Sequence, residues 1–311
     1  MHPYEFFNCI ISRMPFRSPV LPIALLVIFA FGLSSCGSLF GIQPTPSPAR
    51  PTASPFPATP TAHPAAATVN GQAITVDEFQ SELARYKSAQ TALGKTVTDV
   101  DASKVVLEDL IAQRLLAQAA GAAGYTLTDA ELQSRLSTLT SQLGGADKLS
   151  GWESAHGYTD TSLQAALKLS IEAAWMRDKI VNAVPMTADQ VHVQQILLFN
   201  AADAQTVLDQ IKGGADFGAL AAQYDPNARG DLGWFPKGYL LDPKIEEAAF
   251  SLPVGQLSDV LQTDSGYHLI KVLERDPQHP LSPDAYLALQ DLALRAWVSQ
   301  QRAQAKVVLA P

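Results

Sequence analysis

Few residues in this chain are spaced to make or break bonds. Its 311 residues include two cysteines, Cys9 and Cys36, and six histidines. Two cysteines exclude a disulfide scaffold and a cysteine-based zinc site. His156 sits beside Gly157 at an expected helix end, where it reads as a solvated cap rather than a general base. His192 lies in the alternating stretch Val191-His192-Val193, and His268 follows the turn signal Asp264-Ser265-Gly266, with Thr263 just before it. The helical parts carry no paired carboxylates, His/Cys cluster or phosphate loop, and neither metal nor cofactor is expected. The formal net charge of −8, with no basic run, also speaks against nucleic acid, because phosphate binding needs clustered Lys and Arg.

The elements that must position these residues begin after an export-like leader. Val20–Leu33 carries no charge and follows Arg13 and Arg17. It is shorter than the roughly twenty apolar residues of a membrane span, and has the length and basic flank of a signal-peptide core. Leu33-Ser34-Ser35-Cys36-Gly37 comes next and resembles the lipobox of bacterial lipoproteins. The resemblance implies cleavage before Cys36 and a diacylglycerol on its thiol. Met14 begins a segment of more usual signal length, so residues 1–13, with Cys9, are expected to be an over-extended start. From Pro44 to Pro64 eight prolines alternate with Ser, Thr and Ala. Proline fixes φ and removes a donor, so this stretch reads as an extended, semi-rigid tether. The expected organisation is a leader over 1–35 and a tether over 36–67, followed by folded regions over 68–186, 187–277 and 278–311.

The first folded region is helical. Asn70-Gly71 between short β-prone stretches predicts a tight hairpin. Thr75-Val76-Asp77-Glu78 and Thr128-Asp129-Ala130-Glu131 predict capping boxes, and a longer helix is expected from about Ser103. A short helix near Asp147–His156 and a long one over Asp160–Val184 follow, closed by Pro185. Trp152 and Trp175 read as core or groove residues. From Pro280 one more amphipathic helix runs to the β-prone tail Lys306-Val307-Val308-Leu309, which could pair with the strand near Val69.

Between these helical parts the hydrophobic period changes. Val191–Phe199 alternates and then becomes apolar, as a central strand does. Helices are expected over Ala201–Lys212, Asp216–Tyr224 and Pro243–Leu252, and strands over Gln256–Thr263 and Gly266–Glu274. The predicted order is β-α-α-α-β-β, an α+β domain inserted in an otherwise helical protein.

Four motifs in this segment, Gly214-Ala215-Asp216-Phe217, Gly230-Asp231-Leu232-Gly233-Trp234-Phe235, Glu246-Glu247-Ala248-Ala249-Phe250 and Thr263-Asp264-Ser265-Gly266-Tyr267-His268, resemble a parvulin-type peptidyl-prolyl isomerase domain. The flanks resemble the SurA/PrsA group of extracytoplasmic foldases, with a Val-Asn-Gly start, a helical chaperone domain and a returning C-terminal helix. The resemblance implies an apolar proline cup at Leu232, Leu240 or Leu241, and Ile245, with Phe250 beside it. Phe is usual where Ile245 stands. It also implies a polar network of two histidines with a neighbouring Thr or Ser. His268, Thr263 and Ser265 match, but Gln195 stands where the other histidine is usual. His192 should face the opposite side of the strand, since side chains alternate. Asp225 best matches the acidic or thiol residue after the second helix, although its loop is shortened.

Two functions follow from the resemblance. In the first, a lipid-anchored foldase on the outer face of the plasma membrane, or on an outer membrane, isomerises X–Pro bonds of unfolded exported polypeptides. In the second, a non-catalytic holdase keeps a degenerate parvulin domain for binding peptides. Gln195 and Ile245 favour the second reading; the intact Gly-Asp-Leu-Gly and Thr-Asp-Ser-Gly-Tyr-His motifs favour the first.

Overall fold

The computed structural model describes residues 64–310, so Cys36, the leader and nearly all of the tether lie outside the described residues. The chain first forms a hairpin of β1 (Ala65–Val69) and β2 (Gln72–Thr75). Asn70 and Gly71 turn it at φ values of 51° and 84°, the left-handed pair that suits the strand twist. The first three residues of this strand thus fall inside the segment expected to be tether. The C-terminal strand β7 (Val307–Leu309) pairs antiparallel with β1, Val69 opposite Val307, as the β-prone tail suggested. Asn70 fastens this return, donating its backbone N–H to Lys306 O and accepting the Lys306 N–H on its side chain, both at 2.9 Å.

Five helices follow: α1 (Val76–Ala92), α2 (Asp99–Ala122), α3 (Asp129–Leu143), α4 (Ala146–Ala155) and α5 (Asp160–Val181). Helix α2 starts earlier than its apolar stripe, because Thr98 caps it and its first turn is solvent-facing. Val106, Leu110, Ile111 and Leu115 bury against Val69 and Ile74 of the hairpin. Of the two expected capping boxes, only Thr128–Glu131 is complete. Thr75 does accept the Glu78 N–H, but the Glu78 carboxylate is drawn away to Arg114, at 2.7 and 2.9 Å. Helix α5 stops at Val181, three residues short of the expected end, with Asn182 as its C-cap.

The inserted domain is built on an antiparallel sheet of order β4-β3-β6-β5. Its elements are β3 (Thr187–Leu198), α6 (Ala201–Lys212), α7 (Phe217–Tyr224), β4 (Asp231–Pro236), α8 (Pro243–Ser251), β5 (Leu261–Thr263) and β6 (Gly266–Pro280). The observed order is therefore β-α-α-β-α-β-β, not β-α-α-α-β-β. Strand β4 escapes pattern reading because Gly233 and Pro236 dilute its alternation, which an edge strand tolerates. Strand β5 is shorter than expected: Gln256–Val260 only skirts β6, through a bridge at Leu257 and a bond from the Ser258 N–H to Ile270 O. Alternation along β3 divides the core. Val191 and Val193 meet Ile245 and Phe250 of α8 on one face, while Ile196 and Leu198 meet α6 and α7 on the other.

Strands β3 and β6 pair along their whole length, from Thr187 opposite Pro280 to Leu198 opposite Tyr267. Helix α9 (Pro283–Gln304) therefore begins after Pro280, on the N-cap of Ser282, and packs back on α2 and α5.

Candidate functional site

Three neighbouring strands place one side chain each on the α8 face. Gln195 comes from β3, His268 from β6 and Thr263 from the end of β5. His268 is opposite Leu197, so Gln195 is its diagonal neighbour, within reach for a long polar side chain. Thr263 Oγ1 and His268 Nε2 are 2.9 Å apart, and His268 Nδ1 and Gln195 Oε1 are 3.0 Å apart. Gln195 presents its amide oxygen, so Nδ1 carries the proton and donates. Nε2 is then the acceptor, and Thr263 donates its hydroxyl hydrogen to it. The Thr263 oxygen in turn accepts the Ser265 N–H at 3.0 Å. Each member thus has a defined role. His268 is only 4% exposed, and burial lowers its pKa from the ordinary 6.5, with the nearby Asp242 charge opposing. Burial thus favours the neutral imidazole.

Backbone contacts hold Gln195 from the other side. Its N–H donates to Gly230 O at 2.7 Å. Gly230 has a φ of 70°, and a Cβ there would sit 1.9 Å from Gln195 O. Only glycine lets the two strands come this close.

An apolar wall adjoins the network. Ile245, 7% exposed, packs with Val193, Phe235 and Ile270, and Leu232 and Leu240 lie half-buried against the same cluster. Of the two leucines expected at one position, Leu240 faces this cluster, while Leu241 is fully exposed. Phe250 is buried toward the far end of the β3/β6 pair. Its ring meets Phe235 edge-on at 6.2 Å, and the cations of Lys237 and Arg275 lie over it.

The remaining expected residues are engaged elsewhere. Ser265 is exposed in the turn and joins only through its backbone. Asp225 accepts the N–H groups of Ala228, Gly230 and Asn227, bonds that lower its pKa and shape the short loop before β4. His192 lies on the opposite face from Gln195, as alternation requires, bonded to Asp231 at 2.8 Å and stacked on Trp234. His156 caps α4 and stacks on Trp152. Trp175 is half-buried and stacks on Tyr125.

Sequence reasoning passed over two acidic residues. Asp242 caps α8 and acts electrostatically on His268. Glu246 lies inside a quoted motif, yet nothing in the pattern reveals the backbone groups its carboxylate gathers. The Asp242-Pro243 pair is a helix-start signal that could have marked the first.

Residues 199–274 match a PPIC-type PPIase domain, and residues 56–148 match a SurA-like N-terminal domain. The chain is 29% identical to foldase protein PrsA of Geobacillus sp. (strain WCH70), across 58% of this chain and 66% of that protein. It is 31% identical to chaperone SurA of Chromobacterium violaceum, across 61% of this chain and 51% of that protein. It thus spans about half to two thirds of these relatives' length. A crystal structure of the peptidylprolyl isomerase PrsA from Bacillus cereus covers 76% of this chain and 84% of its own, at 24% identity and a TM-score of 0.42. The chain thus joins a SurA-like N-terminal domain to a PPIC-type PPIase domain, and is similar to proteins named foldase protein PrsA and chaperone SurA.

Proposed function

We propose that the protein is a lipid-anchored extracytoplasmic foldase that isomerises X–Pro bonds in unfolded exported polypeptides. The carrying observation is the buried His268, bonded at both ring nitrogens and set against the Ile245–Leu240–Leu232 wall. Rotation about a prolyl amide breaks no bond, but the planar amide resists it with a barrier of about 18–20 kcal/mol. Catalysis then requires a site that binds the twisted amide better than the planar one. The apolar wall takes the pyrrolidine ring out of water. The network presents preorganised dipoles to the turning carbonyl, so little reorganisation is needed as the amide loses conjugation. Gln195 serves as well as a histidine in this role, since it orients His268 and transfers no proton.

Export and anchoring rest on the leader and on Cys36, and no described helix is long and apolar enough to cross a membrane. The clients are unfolded chains, in keeping with the foldase and chaperone relatives.

The deciding measurement is cis/trans exchange of a proline-containing peptide with the purified protein and with His268→Ala and Leu232→Ala. Acceleration by the parent and loss in both variants is expected. No acceleration by the parent, with aggregation of an unfolded client still suppressed, would favour the holdase. That second reading draws support from Gln195 and Ile245, and from exposed apolar side chains such as Leu93 and Val100 in the helical region. Cys36→Ser should move the protein from the membrane to the soluble fraction, and its retention in the membrane fraction would count against the anchor.

A further inference from the structure

Between β4 and α8 runs a loop, residues 237–242, that supplies Leu240 to the apolar wall. It is gathered from within by one carboxylate. Glu246 of α8 accepts the N–H groups of Gly238, Tyr239 and Leu240 at 2.8, 3.1 and 3.2 Å. Three successive amides converging on an ionised acceptor make a strong, directional anchor. Asp242 closes the loop by capping α8, accepting the Lys244 N–H at 2.9 Å.

The same loop has an outer anchor on a different part of the protein. Gly238 stands at φ 86°, and a Cβ there would lie 2.5 Å from Leu292 Cδ2 on α9. Helix α9 belongs with the helical region, packed on α2 and α5, and its Gln290 side chain donates to Val181 O at 3.1 Å. The backbone at Gly238 is thus held on one side by Glu246 and met on the other by the end of the Leu292 side chain.

Resting on the isomerase reading above, we propose that Glu246 is a positioning residue for the proline cup, and that Leu292 is the contact through which the helical region sets that cup. A shift of α9 moves Gly238. Because the amides of 238, 239 and 240 share one carboxylate, the displacement reaches Leu240 at the wall and Asp242 beside His268. The helical region would then influence isomerisation without touching the reacting amide.

The test uses the full chain and two readouts: hydrogen exchange of the Gly238–Leu240 amides, and kcat and KM for a proline peptide. Glu246→Ala should speed exchange of those amides about tenfold and lower kcat/KM by a similar factor, mainly through KM. Glu246→Gln, which keeps an acceptor oxygen, should recover part of both. Leu292→Ala should move the same amides and KM in the same direction, although it lies in another region. Leu292 is 41% exposed, so this variant is expected to fold even if Glu246→Ala does not. Unchanged loop exchange in Leu292→Ala would overturn the coupling, and unchanged exchange in Glu246→Ala, or in Glu246→Lys, which also removes the acceptor, would overturn the role of Glu246. If the parent protein has no isomerase activity, the functional reading fails, while the exchange measurements still decide both points.

Discussion

Gly230 and Gln195 approach so closely that a single methyl group would not fit between them: a Cβ on Gly230 would lie 1.9 Å from the Gln195 carbonyl oxygen. That oxygen is backbone and cannot swing aside, and the glycine also holds a φ of 70°. Gly230→Ala is therefore expected to destabilise the inserted domain by more than about 4 kcal/mol, in the range reserved for backbone clashes and strain. Chemical denaturation followed through Trp234 measures it. A loss below 1 kcal/mol, on the order of an ordinary surface change, would contradict the geometry.

The hydrogen-bond chain makes a second prediction. Gln195→Leu leaves His268 Nδ1 without its acceptor, and Thr263→Val leaves Nε2 without its donor. Each should cost about 1–3 kcal/mol, the penalty of an unsatisfied buried polar group. The double variant should cost less than the two singles combined, because both act through one imidazole. A thermodynamic cycle checks this, and strict additivity would deny that the three side chains act as a unit.

Acidification should affect His268 late. Its pKa is lowered from 6.5 by burial, so the neutral ring persists below the pH at which an exposed histidine charges. The unfolded chain binds this proton at higher pH than the folded one. The stabilising contribution is therefore complete above pH 6.5 and lost as pH falls through the lowered value. The isomerase rate should stay level through pH 6.5 and decline only beyond it. Asp242 opposes the shift, so Asp242→Asn should move the decline to still lower pH. A pH–rate profile of both proteins provides the check, and a decline centred at or above 6.5 would refute it.

The helical region should respond in the opposite sense. Glu153 is 6% exposed, and burial raises its pKa, aided by a hydrogen bond with Asp160 and by that carboxylate's charge. Here the folded state holds the proton more tightly. Stability is greatest below the ordinary value of 4.5 and falls as pH rises through the raised one. Glu153→Gln removes the buried charge, so it should raise Tm at pH 7 and flatten the dependence above pH 4.5. Melting curves at pH 5 and pH 8 test this; an unchanged slope would rule Glu153 out as its source.

Legibility in the sequence followed the range of the interaction. Helix α6 was readable to its last residue because Asn200 caps it and Gly213-Gly214 ends it, all local signals. Strand β4 was not, since its pairing with β3 is what makes a strand of Asp231–Pro236. The same holds for the site. His268 and Thr263 were paired through the family resemblance, and a tight turn joins them in the structure. The choice between Leu240 and Leu241 was not legible, as only the loop's path turns one inward and leaves the other in water. Glu78 illustrates competition: its local partner in the capping box lost to Arg114, which lies far off in sequence.

The two crossings between the helical region and the inserted domain are themselves bonded to each other. Thr187 faces Pro280, Leu281 N–H donates to Met186 O at 2.9 Å, and the buried Gln190 side chain donates to His279 O and Pro280 O. A domain hung on two separate threads could swivel about single bonds. One hung on a laced ribbon must flex the ribbon as a strip, which is soft out of its plane and stiff within it. The inserted domain should therefore bend on the helical region out of the plane of that ribbon far more readily than within it, rather than swivel freely.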